Sequence, residues 1–210
     1  RQGAANPNPN PNPNPNPDPD PKPNHNPNPN PNPNPGQVLL ECVQVLHLHG
    51  FVHNDLKWTH FLQFGVRNQI KLIDFDASAR HGAPCHLKYS SAFAPPQLAA
   101  ELLEYEGYEA GLADSDEQLK WAEWSKARGN LKASPQVDIW AFGALAFKMA
   151  VKDGASIFHS TEADNIVKRE DLETLAYGWE QRKLVEMKRV VWVDAADLVL
   201  KCLQTDPARR

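Results

Sequence analysis

Three ionisable side chains of the types needed for phosphoryl transfer flank a short apolar hairpin pattern. Asp55 and Lys57 follow one short apolar stretch, and Asp74 follows the next. A hairpin brings its two ends together, so we expect Asp55 and Asp74 to lie close together with Lys57 beside them. In such a cleft one carboxylate orients an attacking hydroxyl, the other holds Mg²⁺, and the ammonium neutralises charge on the transferred group. The residues therefore indicate metal-assisted phosphoryl transfer, with a pair of loop caps as the structural alternative.

The segments around these residues have the patterns of short strands and a helix. Apolar residues at 61–64 and 70–73 are separated by turn residues at 65–68, which predicts two short strands joined by a turn. Upstream, apolar residues recur at helical spacing from Val38 to His49, and Gly50 ends that predicted helix.

The segment 137–150 is apolar on every face, which predicts a helix in the middle of the core. Asp138 stands near its start and would be buried with it. Because an unpaired buried charge is very costly, Asp138 needs hydrogen-bond donors, and we expect backbone N–H groups of a neighbouring loop.

The remaining pattern is mostly helical. Further helices are predicted at 98–105, 115–128, 170–177, 180–189 and 194–203, whereas 76–97 is expected to be irregular. The fold class is therefore mainly α with a small β-hairpin element.

Residues 1–35 differ from the rest of the chain. They hold 14 of the 19 prolines, in a nearly unbroken Asn-Pro repeat without large apolar side chains. Proline lacks an N–H and disfavours helix in the residue before it, so this tract is predicted to be a disordered, partly polyproline-II spacer. The alternative, a proline-motif ligand, lacks the aromatic or basic anchor residues such ligands carry.

Composition excludes several classes of protein. No run of 18 apolar residues and no signal-peptide pattern is present, and the net charge of −4 gives no electrostatic basis for binding nucleic acid. Three widely spaced cysteines do not suit a disulfide framework or a structural zinc site. We therefore expect an intracellular, cytoplasmic protein that binds neither membrane nor nucleic acid. The first residue, Arg1, suggests a fragment whose true start is absent.

Five motifs together resemble the C-terminal lobe of eukaryotic-type protein kinases. Residues 53–60 (His-Asn-Asp-Leu-Lys-Trp-Thr-His) resemble the catalytic loop H-R-D-L-K-x-x-N, and 73–76 (Ile-Asp-Phe-Asp) resemble D-F-G with its preceding residue. Residues 92–97 resemble the A-P-E end of the activation segment, 137–143 the start of the central buried helix, and 198–210 the D-P-x-x-R region. They stand in the family's order over about 160 residues.

The resemblance implies a role for each matching residue. Asp55 resembles the catalytic aspartate that accepts or orients the hydroxyl proton of the substrate, and Lys57 resembles the lysine that reaches the γ-phosphate. Asp74 resembles the metal-holding aspartate. His53 and Phe75 resemble packing residues that link the cleft to the central helix. Lysine at 57 is the serine/threonine-type choice, and the complete fold would use ATP and Mg²⁺.

The chain also departs from the family pattern. His60 replaces the asparagine that holds a second Mg²⁺, and imidazole is a poor ligand for that ion. Asn54 replaces the arginine that receives an activation-segment phosphate, and Asp76 replaces a glycine. Gln97 replaces the glutamate that, in the family, pairs with an arginine at the position of Arg210. Gln97 could still form a hydrogen bond with Arg210.

A further departure is an acidic insertion, for which we place the bounds at 98–134 within a lobe of 36–210. It carries Trp121 and Trp124, three residues apart and so on one face of the predicted helix. We expect these tryptophans to dock the insertion onto the lobe, the alternative being an aromatic anchor for a protein partner.

The features of an N-terminal kinase lobe do not occur in the sequence. It contains no glycine-rich loop and no V-A-I-K strand lysine with its glutamate partner, and it stops at Arg210 before the lobe's last helix would finish. We therefore expect the chain alone to be marginally stable, to bind ATP weakly and to phosphorylate nothing. The implied partner is a protein, as substrate or ligand. The alternatives are a pseudokinase-like binding or scaffold module and a non-functional gene fragment.

Overall fold

The computed structural model describes residues 35–66, 69–85, 89–109 and 131–210. In these residues one helix is followed by four very short strands and then by further helices of two to four turns. The helices are α1 (Pro35–Leu48), α2 (Pro96–Glu109), α3 (Pro135–Ala150), α4 (Arg169–Tyr177), α5 (Trp179–Glu186) and α6 (Val193–Cys202). The strands are β1 (Phe51–Val52), β2 (Phe61–Phe64), β3 (Gln69–Leu72) and β4 (Ala79–Arg80). Single 3₁₀ turns lie at Trp58–His60, Ser91–Phe93, Met187–Arg189 and Pro207–Arg209.

The helix predictions are confirmed with small changes at the ends. α2 begins before and ends after the predicted 98–105, and α5 stops at Glu186, where a 3₁₀ turn replaces the last predicted residues. The predicted helix at 115–128, with Trp121 and Trp124, lies outside the described residues, as does the Asn-Pro tract up to residue 34.

Helix α3 lies at the centre of the core, as its apolar sequence predicts. Pro135 occupies the first turn, where its missing N–H costs nothing, and most of the following side chains are buried. Trp140 and Phe147 are at most 1% exposed, and each contributes on the order of 2 kcal/mol through burial. The ring of Trp140 meets that of Trp179 on α5 edge-on, with 5.2 Å between centroids.

A glycine in α3 permits a close contact with the end of α6. A Cβ atom added at Gly143 would lie 2.5 Å from the Cβ of Cys202 and 3.0 Å from a methyl carbon of Leu203. Both of those residues are at the end of α6, so any side chain at 143 would force the two helices apart.

Two antiparallel pairs of strands flank the loop that carries Asp55. β2 pairs with β3 from Phe61 opposite Leu72 to Phe64 opposite Gln69, which confirms the predicted hairpin, its second strand one residue earlier than expected. β1 pairs with β4, with Val52 opposite Ala79. The expectation that 76–97 is irregular is therefore wrong at β4, because a two-residue strand has no periodicity to detect.

The described residues thus form a helix-rich fold with small antiparallel strand pairs, in agreement with the predicted class. Within them, every helix is too short or too polar to cross a membrane.

Candidate functional site

The loop that carries Asp55 is anchored by the buried carboxylate of Asp138 in the first turn of α3. Asp138 is 0% exposed. Its two oxygens accept the backbone N–H groups of His53 at 2.8 Å and Asn54 at 2.9 Å, which confirms the expected loop donors. His47 of α1 adds a third contact, with Nε2 2.9 Å from Oδ2. Sequence reasoning missed His47, because only the fold brings α1 against the start of α3.

Asn54 is engaged with its neighbours through its backbone N–H and its side-chain amide. Its backbone is left-handed, with φ of +67°, a conformation that asparagine tolerates better than most residues. The buried amide donates to the carbonyl of Ala77 at 3.0 Å and accepts the thiol of Cys85 at 3.8 Å. The side chain at this position therefore ties the loop to neighbouring backbone.

Asp55 and Lys57 converge on Ser90. The Asp55 carboxylate, 7% exposed, accepts the backbone N–H of Ser90 at 2.7 Å. Lys57 donates to the Ser90 hydroxyl at 3.1 Å, and its Nζ lies 3.6 Å from the other Asp55 oxygen. Sequence reasoning did not place Ser90 against Asp55, since nothing in the linear pattern brings the two residues together. The acid and the ammonium thus contact the same residue, the acid through its backbone N–H and the ammonium through its hydroxyl.

His60 joins the two loops that carry the candidate carboxylates. Its ring is buried, with Nδ1 2.9 Å from the carbonyl oxygen of Asp55 and Nε2 3.2 Å from Oδ2 of Asp74. The expected closeness of the Asp55 and Asp74 loops is confirmed through this bridge. Burial is the largest influence on the imidazole and lowers the pKa of His60, against the opposing field of the Asp55 carboxylate.

His53 and Phe75 connect the loop of Asp55 to that of Asp74. The buried His53 ring donates through Nε2 to the carbonyl of Ile73 at 3.1 Å, and its centroid lies 5.4 Å from that of Phe75. Asp74 lies between Ile73 and Phe75 in the sequence. Its backbone is left-handed, with φ of +61°, and its carboxylate is 37% exposed. Asp76, the residue in place of the expected glycine, is exposed.

The segment after Ser90 is held by hydrogen bonds to uncharged groups. The buried Ser91 hydroxyl accepts the backbone N–H of Ile166 at 2.8 Å, and the backbone N–H of Ala92 donates to the carbonyl of Asp164 at 3.0 Å. These contacts tie the segment to the loop before α4.

Gln97 and Arg210 form the pair that the sequence allowed. Arg210 Nη2 donates to the side-chain oxygen of Gln97 at 2.9 Å, and the guanidinium carbon lies 4.9 Å from the centroid of the Trp140 ring. Burial lowers the pKa of Arg210 to about 10, against the opposing field of the Asp206 carboxylate. The Gln97–Arg210 pair holds the end of the segment that follows Ser90 close to α3.

The donor atoms around Asp74 do not fit the two-Mg²⁺ arrangement that the resemblance implies. The Asp74 carboxylate suits Mg²⁺, but its neighbour is the nitrogen of His60, and Mg²⁺ prefers oxygen ligands. The Asp55 oxygens face the backbone N–H of Ser90 and the ammonium of Lys57. Among the described residues no group of three or more His, Cys, Asp and Glu side chains could hold a metal.

An open apolar groove of about 630 Å³ lies between α1 and β3, next to Phe75. Its apolar lining includes Val45, Leu46, Ile70 and Leu72. Sequence reasoning did not locate this groove.

Helices pack around the buried α3, and two loops are positioned by short strand pairs. This arrangement is a protein kinase-like fold. In particular, the chain is similar to the structure of the Cydia pomonella granulovirus kinase PK-1, with a TM-score of 0.50 and 18% sequence identity. The match covers 83% of this chain but 52% of that chain, so the chain spans about half the length of the viral kinase. At this identity the likeness shows the fold alone. No protein-family model matches the chain.

Proposed function

We propose that this chain is the C-terminal lobe of a serine/threonine-type protein kinase-like phosphotransferase. The observation that carries the proposal is the convergence of Asp55 and Lys57 on Ser90, where the Asp55 carboxylate accepts the backbone N–H and Lys57 donates to the hydroxyl. A phosphotransferase needs a carboxylate and a cation beside the hydroxyl that attacks the phosphate. The anchoring of the loop by Asp138 supports it, because catalytic groups work only when held in place.

In this proposal Asp55 orients the substrate hydroxyl and accepts its proton. Lys57 neutralises charge on the transferred phosphoryl group, and Asp74 binds the metal ion that accompanies ATP. ATP and a divalent cation are the implied cofactors, and a protein with a serine or threonine hydroxyl is the implied substrate. His53, Phe75, Gln97 and Arg210 position the loops and the segment between them.

We further propose that the chain by itself does not transfer phosphate. Its sequence has no G-x-G-x-x-G loop and no V-A-I-K strand to cover and hold the phosphates of ATP. On the described surface, the groove beside Phe75 is open. With Lys57 and Asp74 as its only proposed phosphate and metal contacts, a nucleotide would bind weakly.

Transfer of radiolabelled phosphate from Mg-ATP to serine- and threonine-containing peptides tests both statements. We expect the whole chain to give no signal above that of the Asp55→Ala variant. Activity that disappears in Asp55→Ala and persists in Asp197→Asn, an exposed surface carboxylate, would overturn the proposed inactivity while supporting the proposed catalytic role. Activity that Asp55→Ala leaves intact would overturn the role itself.

A second candidate function is a pseudokinase-like module that binds a protein partner. The fixed segment at Ser90 and Ser91 favours it, because both hydroxyls are buried and engaged. The coding sequence upstream of Arg1 separates the candidates. An open frame that encodes a glycine-rich loop and a strand lysine supports the enzyme, whereas unrelated sequence supports the module and a stop codon supports a non-functional gene fragment.

A further inference from the structure

Helix α1 carries two apolar stripes, and only one of them is packed in the core. Leu39 and Val43 belong to the core stripe and are 2% and 1% exposed. The second stripe lines the open groove beside Phe75 and consists of Val38, Cys42, Val45 and His49. Its members follow each other after four, three and four residues, the spacing by which one helix packs lengthwise against another. The second stripe is therefore shaped for a helix.

The two flanks of this second stripe carry opposite charges. On one flank, Glu41 of α1 is exposed and accepts a hydrogen bond from Gln37 at 2.9 Å. On the other flank lies β3, whose Lys71 also lines the groove and has its Nζ 5.4 Å from the centroid of the Phe64 ring. A partner with a strong charge of one sign would be attracted to one flank and repelled by the other. A second copy of the chain offers both signs.

We propose that the groove is the interface of a homodimer in which the α1 helices of two copies pack side by side and parallel about a two-fold axis. This symmetry turns the Glu41 flank of each copy toward the Lys71 flank of the other, so one contact is made twice. An antiparallel pair would instead bring the two Glu41 flanks together, where like charges repel. The dimer goes beyond the proposed function and does not depend on it.

The molar mass of the whole chain in solution tests the dimer. Light scattering coupled to size-exclusion chromatography is run over a wide range of loading concentrations. The mass should rise from the 23.5 kDa of one chain and level off at twice that value. A mass that stays at one chain would overturn the proposal. A mass that rises without levelling off would also overturn it, because the apolar groove would then aggregate without a defined partner.

Charge reversal shows whether the two flanks meet. Glu41→Lys and Lys71→Glu each create two like-charge contacts in the dimer and should raise its dissociation constant by about tenfold or more. The double variant restores opposite charges, as does an equimolar mixture of the two single variants, and both should dimerise again. Single variants that dimerise as well as the unaltered chain, or a double variant that stays monomeric, would contradict the pairing.

Two matched variants control for the change in net charge. Glu162→Lys and Lys152→Glu reverse the same charges at exposed positions outside the groove, so the dissociation constant should not change. Weakening as large as that in the groove variants would mean that net charge, rather than contact between the flanks, controls association.

Cross-linking of the unaltered chain keeps the proposal testable if a variant fails to fold. In the parallel pair, Cys42 of one copy lies opposite Cys42 of the other, at the separation of roughly 6 Å between Cα atoms that a disulfide spans. Diamide accepts the two electrons and two protons of two thiols, and it should link the chain into a dimer that a reducing agent separates. Cys85 and Cys202 are buried, so Cys42→Ser should abolish the link.

A dimer that diamide does not link through Cys42 would overturn the parallel arrangement. Nucleotide is absent from all of these measurements. Their failure therefore leaves the phosphate-transfer test unaffected, and inactivity in that test leaves the dimer unaffected.

Discussion

The loop that carries Asp55 has two unlike surroundings. On the α3 side, Asp138 is fully buried and accepts two backbone N–H groups and a histidine ring. On the side of α1 and β3, Val45 and Leu48 are 56% and 77% exposed, and Phe75 lies beside an open apolar groove. The same helix, α1, contributes His47 to the first region and Val45 to the second.

The buried polar network fixes the position of the Asp55 loop, whereas the open groove leaves apolar surface uncovered. A polar network buried in the core specifies the position of the loop, because each of its groups is costly to leave unpaired. No comparable polar network lines the groove, and its exposed apolar surface favours aggregation in water. Substitutions on the α3 side should therefore change stability, whereas substitutions in the groove should change solubility.

The largest effect is expected for Asp138→Ala. It leaves the N–H groups of His53 and Asn54 buried without acceptors, and it should lower the free energy of unfolding by roughly 3–5 kcal/mol. Urea denaturation followed by circular dichroism measures it. Asp138→Asn, which keeps one acceptor oxygen, should lose less.

Asp197→Asn is the matched control for Asp138. Its carboxylate is 70% exposed and pairs with Lys201, so its loss should cost less than about 0.5 kcal/mol. Similar losses at 138 and 197 would show that the buried network does not hold the loop.

An intermediate effect is expected at alkaline pH. Burial raises the pKa of the Cys85 and Cys202 thiols to about 11, from 9.0. Between pH 9 and 11 the unfolded chain has released these protons while the folded chain retains them. The free energy of unfolding should therefore fall across this window, by up to about 2–3 kcal/mol for each thiol.

Denaturation midpoints at pH 9, 10 and 11 measure this slope. Replacing both Cys85 and Cys202 by alanine should flatten it. Cys42→Ala, in the groove, should flatten it less, because that thiol is only partly buried. A slope that depends mainly on Cys42 would reverse the comparison between the two regions.

The smallest effect on stability is expected for Val45→Glu in the groove. The side chain is already more than half exposed, so the free energy of unfolding should change by less than about 0.5 kcal/mol. The added charge should reduce self-association, measured by light scattering as concentration rises. The matched control is Val43→Glu on the same helix, where the side chain is 1% exposed and an unpaired carboxylate should unfold the chain. Equal tolerance at 43 and 45 would mean that α1 does not pack as described.

Much of the α3 side follows from the sequence alone. The all-round apolar segment 137–150 predicts a central helix, and the cost of burying Asp138 predicts backbone donors from a loop. The hairpin of β2 and β3 predicts that the loops of Asp55 and Asp74 meet. Each of these predictions depends on a local pattern or on one strong energetic requirement.

The rest depends on contacts between distant segments. His47 reaches Asp138, and Ser90 reaches Asp55, only because the fold brings their elements together. The sequence around Asp74 is an ordinary boundary between apolar and polar residues. It therefore does not predict the left-handed backbone found there. The groove is a property of surfaces left between elements, which periodicity does not describe.

The edge-on contact of Trp140 with Trp179 has an optical consequence. Two indole rings 5.2 Å apart at 68° have coupled electronic transitions, which produce a near-ultraviolet circular dichroism signal that exists only while α3 and α5 are packed. The guanidinium of Arg210 over the Trp140 ring gives this chromophore an environment distinct from that of exposed Trp58 and Trp192. The chain therefore carries its own spectroscopic reporter of core packing, at the helix whose first turn holds the loop of Asp55.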